Sequence, residues 1–318
     1  MKRILTTAAL VVLGAVSAFA KTDAQSLIPV DAATVGVIHL SDVRTSPLSA
    51  ALFQHTDTMS SNGEGDRFLI DAGLDVKKDI DVLVVSTAPV TALGSDAKVL
   101  VAADGRFNVD RLTAALVKRG AVKKTSPNGA YYLLPESKEH DRSHGDGAVA
   151  FPDSHLALVG SESAVVEALA DRAAGGTSFA STSGLGRELS RIDAHATAWA
   201  LVDVARARRL GAKAAQSQRE NFNAALKNVS TLAVWATDAG DSLKLGAFGL
   251  SHDAETLQLV EDTVRGALSM MRLAVQEKSP DLVSVLRKFN VQRNDDSVTV
   301  NGTVSAESLK SLATKTMK

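Results

Sequence analysis

The densest group of metal-ligating side chains is Glu139, His140, Asp141, His144 and Asp146, inside the run PESKEHDRSHGD at 135–146. Imidazoles beside carboxylates suit zinc, copper or nickel, and His140 and His144 stand four residues apart. That spacing aligns two ligands only on a helix. Here Pro135, Ser143, Gly145 and Gly147 break any helical period, so the run reads as a solvated loop between two hairpin arms. His140 and His144 are the candidate metal ligands, and a weak, poorly preorganised site is the most such a loop would build.

Other reactive residue types are scattered. His39 ends a strand pattern, His55 sits in a polar stretch, His155 precedes a strand, His195 lies just before the second half and His252 precedes a helix cap. Each reads as a turn or half-buried residue and not as a general base. Gly160-Ser161-Glu162-Ser163 lies at a strand-to-helix turn, where a nucleophile elbow would sit. It lacks the second glycine of G-x-S-x-G, and an N-cap role accounts for Ser161. Ser95 and Lys98 spell S-x-x-K, yet Lys98 begins a strand pattern, and that motif needs a helix. Phosphate loops are missing, and Gly184-Leu185-Gly186 stands alone. The acidic pairs Asp71/Asp75, Asp79/Asp81 and Asp295/Asp296 lack calcium-loop spacing and read as caps and turns. Arg206, Arg208, Arg209 and Lys213 form a small basic patch on a solvated helix face. No catalytic residue and no cofactor follows from these motifs.

The elements around these residues repeat one device. HLALVGSESAVVEALAD (155–171) reads as a short strand, a break, and a helix whose Ala164, Val165, Ala168 and Leu169 share a face. SVTVNGTVSAESLKSLA (297–313) repeats it, with Ser305 as cap. Strand patterns fall at 35–40, 80–87 and 98–103 in the first half, and at 197–204, 229–237 and 243–250 in the second. Helices capped by Asn108 and Asp253 follow the third strand of each half. Each half thus runs strand, helix, strand, strand, helix, strand, helix. That order predicts an α+β fold of two tandem ferredoxin-like (split βαβ) units, with mainly antiparallel sheets and helices on one face. The predicted division is a signal peptide at 1–20, a first αβ unit at 21–176, a linker and connecting helix at 177–196, and a second αβ unit at 197–318. GGTSFASTS (175–183) supplies the Gly/Ser-rich linker composition.

The chain opens MKRILTTAALVVLGAVSAFAK. Lys2 and Arg3, the apolar run at 4–16 and Ala18-Phe19-Ala20 make the three-part pattern of a secretory signal peptide. No later stretch is long and apolar enough to span a bilayer. The chain has no cysteine, which removes disulfide frameworks, thiol nucleophiles, thiolate metal sites and a lipid-anchored cysteine. With 35 Lys plus Arg against 36 Asp plus Glu, no bulk charge draws it to nucleic acid. Two Trp, two Tyr and nine Phe leave few aromatic platforms for sugars. The signal peptide, the LIPVDAATVGVIHL opening and the paired GRFNVDRLTAALV and GSESAVVEALA segments resemble exported bacterial proteins of unknown function built from repeated αβ units. That resemblance implies no activity.

The reading is an exported, periplasmic or extracellular, non-enzymatic binding or interaction module of the bacterial cell envelope. Its partner would be a protein, peptide or envelope ligand, met on the sheet surface, a sheet edge or the groove between halves. The alternatives are a hydrolase assembled from distant residues, or weak metal binding through His140 and His144. Mass spectrometry of the exported protein is expected to place its first residue at Lys21; a retained leader would overturn the signal-peptide assignment. Calorimetry with zinc and copper is expected to give no specific binding that the His140→Ala/His144→Ala double variant loses.

Overall fold

Alternating burial explains most of the strands. β2 (Ile80–Pro89) buries Val82, Val84, Ser86 and Ala88 and turns the residues between them to its other face, where a register shift beside Val82 also places Ile80. The computed structural model describes residues 22–46, 70–90, 97–135, 147–211, 228–276 and 280–308. Within these, β1 (Thr34–His39) and β3 (Ala97–Gly105) flank β2 as antiparallel neighbours. Two short helices, α1 (Leu40–Thr45) and α2 (Val76–Asp79), stand at the ends of the β1–β2 connection. α3 (Val109–Lys118) follows β3 and is capped as expected, the Asn108 side chain accepting the N–H of Arg111.

The rest of the first half is a run of antiparallel strands: β4 (Val122–Ser126), β5 (Gly129–Leu133), β6 (Gly147–Ala150) and β7 (Leu156–Ser161). α4 (Glu162–Ala173) leaves β7 and buries Ala164, Val165, Ala168 and Leu169, the four residues its periodicity selects. Ser161 does hold the N-cap position, but its hydroxyl makes no capping bond and is buried without a partner.

The 175–183 stretch differs from its composition. Thr177 is tied to Ser26 and Ile28, and α5 (Phe179–Thr182) buries Phe179 in the core. α6 (Gly184–Arg187) and a 3-10 turn at Glu188–Arg191 continue along the sheet and bury Leu185. One buried aromatic stabilises a segment by about 1.5–3 kcal/mol. That decides against a free linker, whatever the Gly/Ser content.

The second half contains β8 (Ala198–Asp203), α7 (Val204–Gly211), β9 (Thr231–Asp238) and β10 (Ser242–Leu250). α8 (Ala254–Val275) begins at Asp253, whose carboxylate accepts the N–H groups of Glu255 and Thr256. α9 (Pro280–Arg287), β11 (Asn290–Arg293) and β12 (Ser297–Ser305) complete the described chain.

The twelve strands among the described residues form one antiparallel sheet in the order β11-β12-β10-β9-β8-β1-β2-β3-β7-β6-β5-β4. The α+β class and the antiparallel sheet are as expected, but the ferredoxin-like arrangement is not what forms. A split βαβ unit makes the strands flanking its first helix parallel and inserts the third strand between them. Here β1 pairs directly with β2, His39 opposite Val82, and β8 pairs directly with β9, Asp203 opposite Thr231. The connection therefore leaves and re-enters the sheet at one end. A single crossover helix would deliver the chain to the other end.

One face of the sheet carries a core that runs through both halves. It joins Val37, Val84, Leu100 and Leu158 to Trp199, Leu201 and Phe248, under α4, α5 and α6. Helices also occupy the opposite face, so they are not confined to one side. α3 covers Ala103 and Ala157 there, and α8 covers Val291 and Val298.

The N-terminal segment completes the first core. A 3-10 turn at Gln25–Leu27 buries Ala24, Leu27 and Ile28, and the N–H of Ala24 donates to both carboxylate oxygens of Asp104, at 3.0 and 3.1 Å. Burial raises the pKa of Asp104, against the bonds from Thr22 and Ala24 that favour the charged form. A carboxylate with a raised folded pKa adds stability in acid that is lost as pH rises through that pKa. Asp104→Asn keeps an acceptor and removes the charge. It is expected to match or exceed wild-type stability at pH 7 and to lose that advantage at pH 3. Asp104→Ala orphans a buried N–H and is expected to cost about 1–3 kcal/mol. Urea unfolding of the three proteins at the two pH values checks both outcomes.

Candidate functional site

The strands at the middle of the sheet are apolar on both faces. Val35 and Val37 of β1 point into the common core, while Gly36 and Ile38 point to the opposite face. The same parity holds in β8, where Trp199 and Leu201 face the core and Ala198 and Ala200 face away. Apolar residues at both parities give a strand two apolar faces.

On that opposite face the cross-strand register builds two rows. Val85, Gly36, Ala200 and Val234 form one, each opposite the next. Leu83, Ile38, Ala198, Ala236 and Leu245 form the other. Together they line an open trough of about 400 Å³. Its rims are exposed: Ile38 at 38%, Val85 at 40% and Val234 at 55%. No polar side chain except the indoles of Trp199 and Trp235 occurs among the described lining residues, and both tryptophans belong to the core face. The cluster under α3 reaches Leu83 from one side, and the cluster under α8 reaches Leu232 from the other. The trough lies between them.

Trp235 is held on the core face by a close fit. A side chain at Gly246 would stand 2.1 Å from its indole ring, so only glycine there lets the ring lie across β10. The ring packs on Phe248 at 6.0 Å between centroids.

A second concavity, of about 460 Å³, is polar. Asp23, Ser26, Asn128 and Arg172 stand around Phe151 and Leu169. Several of its polar groups serve the fold. Arg172 pairs with Asp153, which also accepts the N–H groups of His155 and Leu156. Ser26 Oγ donates to the Asp23 carbonyl at 2.6 Å. No histidine occurs among its described lining residues.

The residues weighed for chemistry separate. His140 and His144, with the rest of 136–146, lie outside the described residues, as do His55, Ser95 and Lys213. Lys98 stands in β3 and pairs with Glu167 at 2.5 Å. Beside it, burial and the Glu167 charge raise the pKa of Asp171. His39 Nε2 lies 3.5 Å from Gln25 Nε2, and His155 Nδ1 lies 3.3 Å from the Gly105 carbonyl. Asp193 is held below the usual carboxylate range by the N–H of His195 and the hydroxyl of Thr237. Asp75 and Asp79 cap one another's turn, and Asp296 pairs with Arg191 at 2.5 Å. Arg206 pairs with Asp203 at 3.5 Å. Among the described residues no group of three His, Asp or Glu side chains could hold a metal ion. None of the trough's residues does chemistry, so no motif points to it; double-faced apolarity in VGVIHL, AWALV and LAVWAT is the signal that marks it.

Similarity to known proteins is confined to the fold. No family model matches the chain, and no curated protein does. Crystal form III of TP0453, a protein of unknown function from the bacterium Treponema, has a similar fold at TM-score 0.52 and 12% identity. The match spans 92% of this chain and 98% of that one. Crystal form IV of the same protein gives TM-score 0.49 at 12% identity, over 90% and 94% of the two chains. At this identity the likeness concerns chain architecture. No described helix is long and apolar enough to cross a membrane.

Proposed function

We propose that the protein is an exported, non-enzymatic binding module of the bacterial cell envelope, working in the periplasm or outside the cell, and that the trough is its binding surface. The observation that carries this reading is the open apolar floor at the middle of the sheet, with Ile38, Val85 and Val234 left in solvent. Concave, mostly apolar ground is where proteins commonly place small ligands. The signal-peptide pattern supports export. The parallel orders β1-β2-β3-β7 and β8-β9-β10-β12, running outward from a shared centre, support descent of the two halves from one duplicated unit. On this reading the trough lies on the junction that duplication created.

The test is a native-state apolar probe, 1-anilinonaphthalene-8-sulfonate, titrated into the mature chain by fluorescence. Saturable binding is expected, weakened at least tenfold by Val234→Asp. Val234 is more than half exposed, so the substitution is expected to cost about 1 kcal/mol, mainly through the low strand propensity of Asp, and to leave the protein folded. Binding that Val234→Asp leaves unchanged would remove the trough as the binding surface.

A further inference from the structure

Resting on the reading of the trough as the binding surface, we infer that its ligand is the acyl chain of a single-chain amphiphile, taken up as a monomer. Three observations decide among occupants: size, polarity and the floor.

Size argues against a protein face confined to the trough. Strands lie about 4.8 Å apart, so Leu83 and Leu245, four strands apart, lie about 19 Å apart along the sheet. The two rows are two residues apart along each strand, or about 7 Å. The footprint is thus roughly 130 Å², against about 800 Å² per partner for a stable protein interface or dimer. A long, narrow slot fits one extended chain.

Polarity excludes a peptide strand. The carbonyls and N–H groups of β2, β1, β8 and β9 are spent on one another. The residues that form the two rows offer no donor or acceptor from their side chains. A peptide laid across them would bury its own backbone groups unpaired, at about 1–3 kcal/mol for each. A polymethylene chain brings no such groups, and no charge on the lining repels or attracts it.

The floor is left empty at its centre. A side-chain carbon on Gly36 would meet no atom within 4 Å. Glycine inside a strand weakens it and often marks close approach of a ligand or another backbone. Among the described residues no atom takes up that space, and the clearance is read as room for a ligand. Ala200 and Ala198 continue the low floor beside it, between the taller Val85 and Ile38 on one side and Val234 and Leu245 on the other.

The experiment titrates sodium dodecanoate, below its micellar concentration, into the mature chain by calorimetry. Phosphatidylcholine vesicles and an acetylated, amidated Leu-Val-Leu-Val-Leu-Val peptide are titrated in parallel. Gly36→Phe starts its side chain where no atom lies within 4 Å and adds a residue of high strand propensity; Ala200→Leu is the second filling variant should the first fail to fold. Saturable one-to-one dodecanoate binding is expected, at least tenfold weaker in the filled variant, whose thermal midpoint is unchanged or raised. Dodecanoate binding that survives filling overturns the inference. Peptide binding lost on filling, without dodecanoate binding, overturns the acyl-chain assignment and leaves the trough as a binding surface. Vesicle binding without monomer binding overturns it in favour of a membrane surface. No binding of any probe overturns both readings.

Discussion

Five residue pairs between β1 and β8, from Thr34 opposite Val202 to Ile38 opposite Ala198, hold the two halves in one sheet. Everything else about the site follows from this seam. It sets Gly36 beside Ala200 and Ile38 beside Ala198, and so makes a floor that neither half has alone. It also carries the core of the covered face from Val37 to Trp199 without a break. A continuous backbone ladder through the middle of the molecule rules out the clamshell closure that two-domain binding proteins use. A ligand in the trough meets a surface that is already formed and gains its binding free energy without a domain rearrangement.

The two faces of the sheet are built on different rules. The covered face interdigitates large side chains, and glycine appears where bulk demands it, as at Gly246 under Trp235. The opposite face is divided. α3 and α8 close its flanks with their own apolar clusters, and small residues occupy the ground between. Close packing on one face therefore coexists with deliberate under-filling on the other. Protein interiors ordinarily reach crystal-like density, so a floor that stops short of it is informative about what the fold leaves room for.

Much of this architecture was legible in the sequence, and the illegible parts share physical causes. IDVLVVST announces β2 because one face of it is buried. Asn108 and Asp253 announce their helices because an unpaired helix N-terminus needs a side-chain acceptor, and both supply one. β4 and β11 left no pattern because they are the two edges of the sheet. β4 is exposed along almost its whole length, with Lys123 and Lys124 at its centre, and only Val291 of β11 is buried. Charge on an edge strand blunts unwanted pairing and also erases the alternation by which strands are recognised. The 175–183 run concealed its role for the opposite reason: one residue, Phe179, outweighs eight that read as flexible. Strand order was beyond reach, since the turns that decide whether a connection crosses a sheet or returns to its starting end are set by tertiary packing. The trough was hidden in plain composition, because residues that line an apolar slot are the same types that fill a core.

The placement of β1 has a kinetic side. Its partners are β2, some forty residues later, and β8, which begins more than 150 residues later at Ala198. When a chain emerges N-terminus first, the first half can assemble from β2 out to β4 while β1 still presents one unpaired edge. That edge, with Val35, Val37 and Ile38, stays open until Asp203 has appeared. Loops this long are slow to close, and an open apolar edge is the usual starting point for misassembly between chains. The strand pairing at the centre of the finished sheet is thus the one that joins the residues farthest apart in the chain, and the interval before it closes is when this chain most needs company from a chaperone.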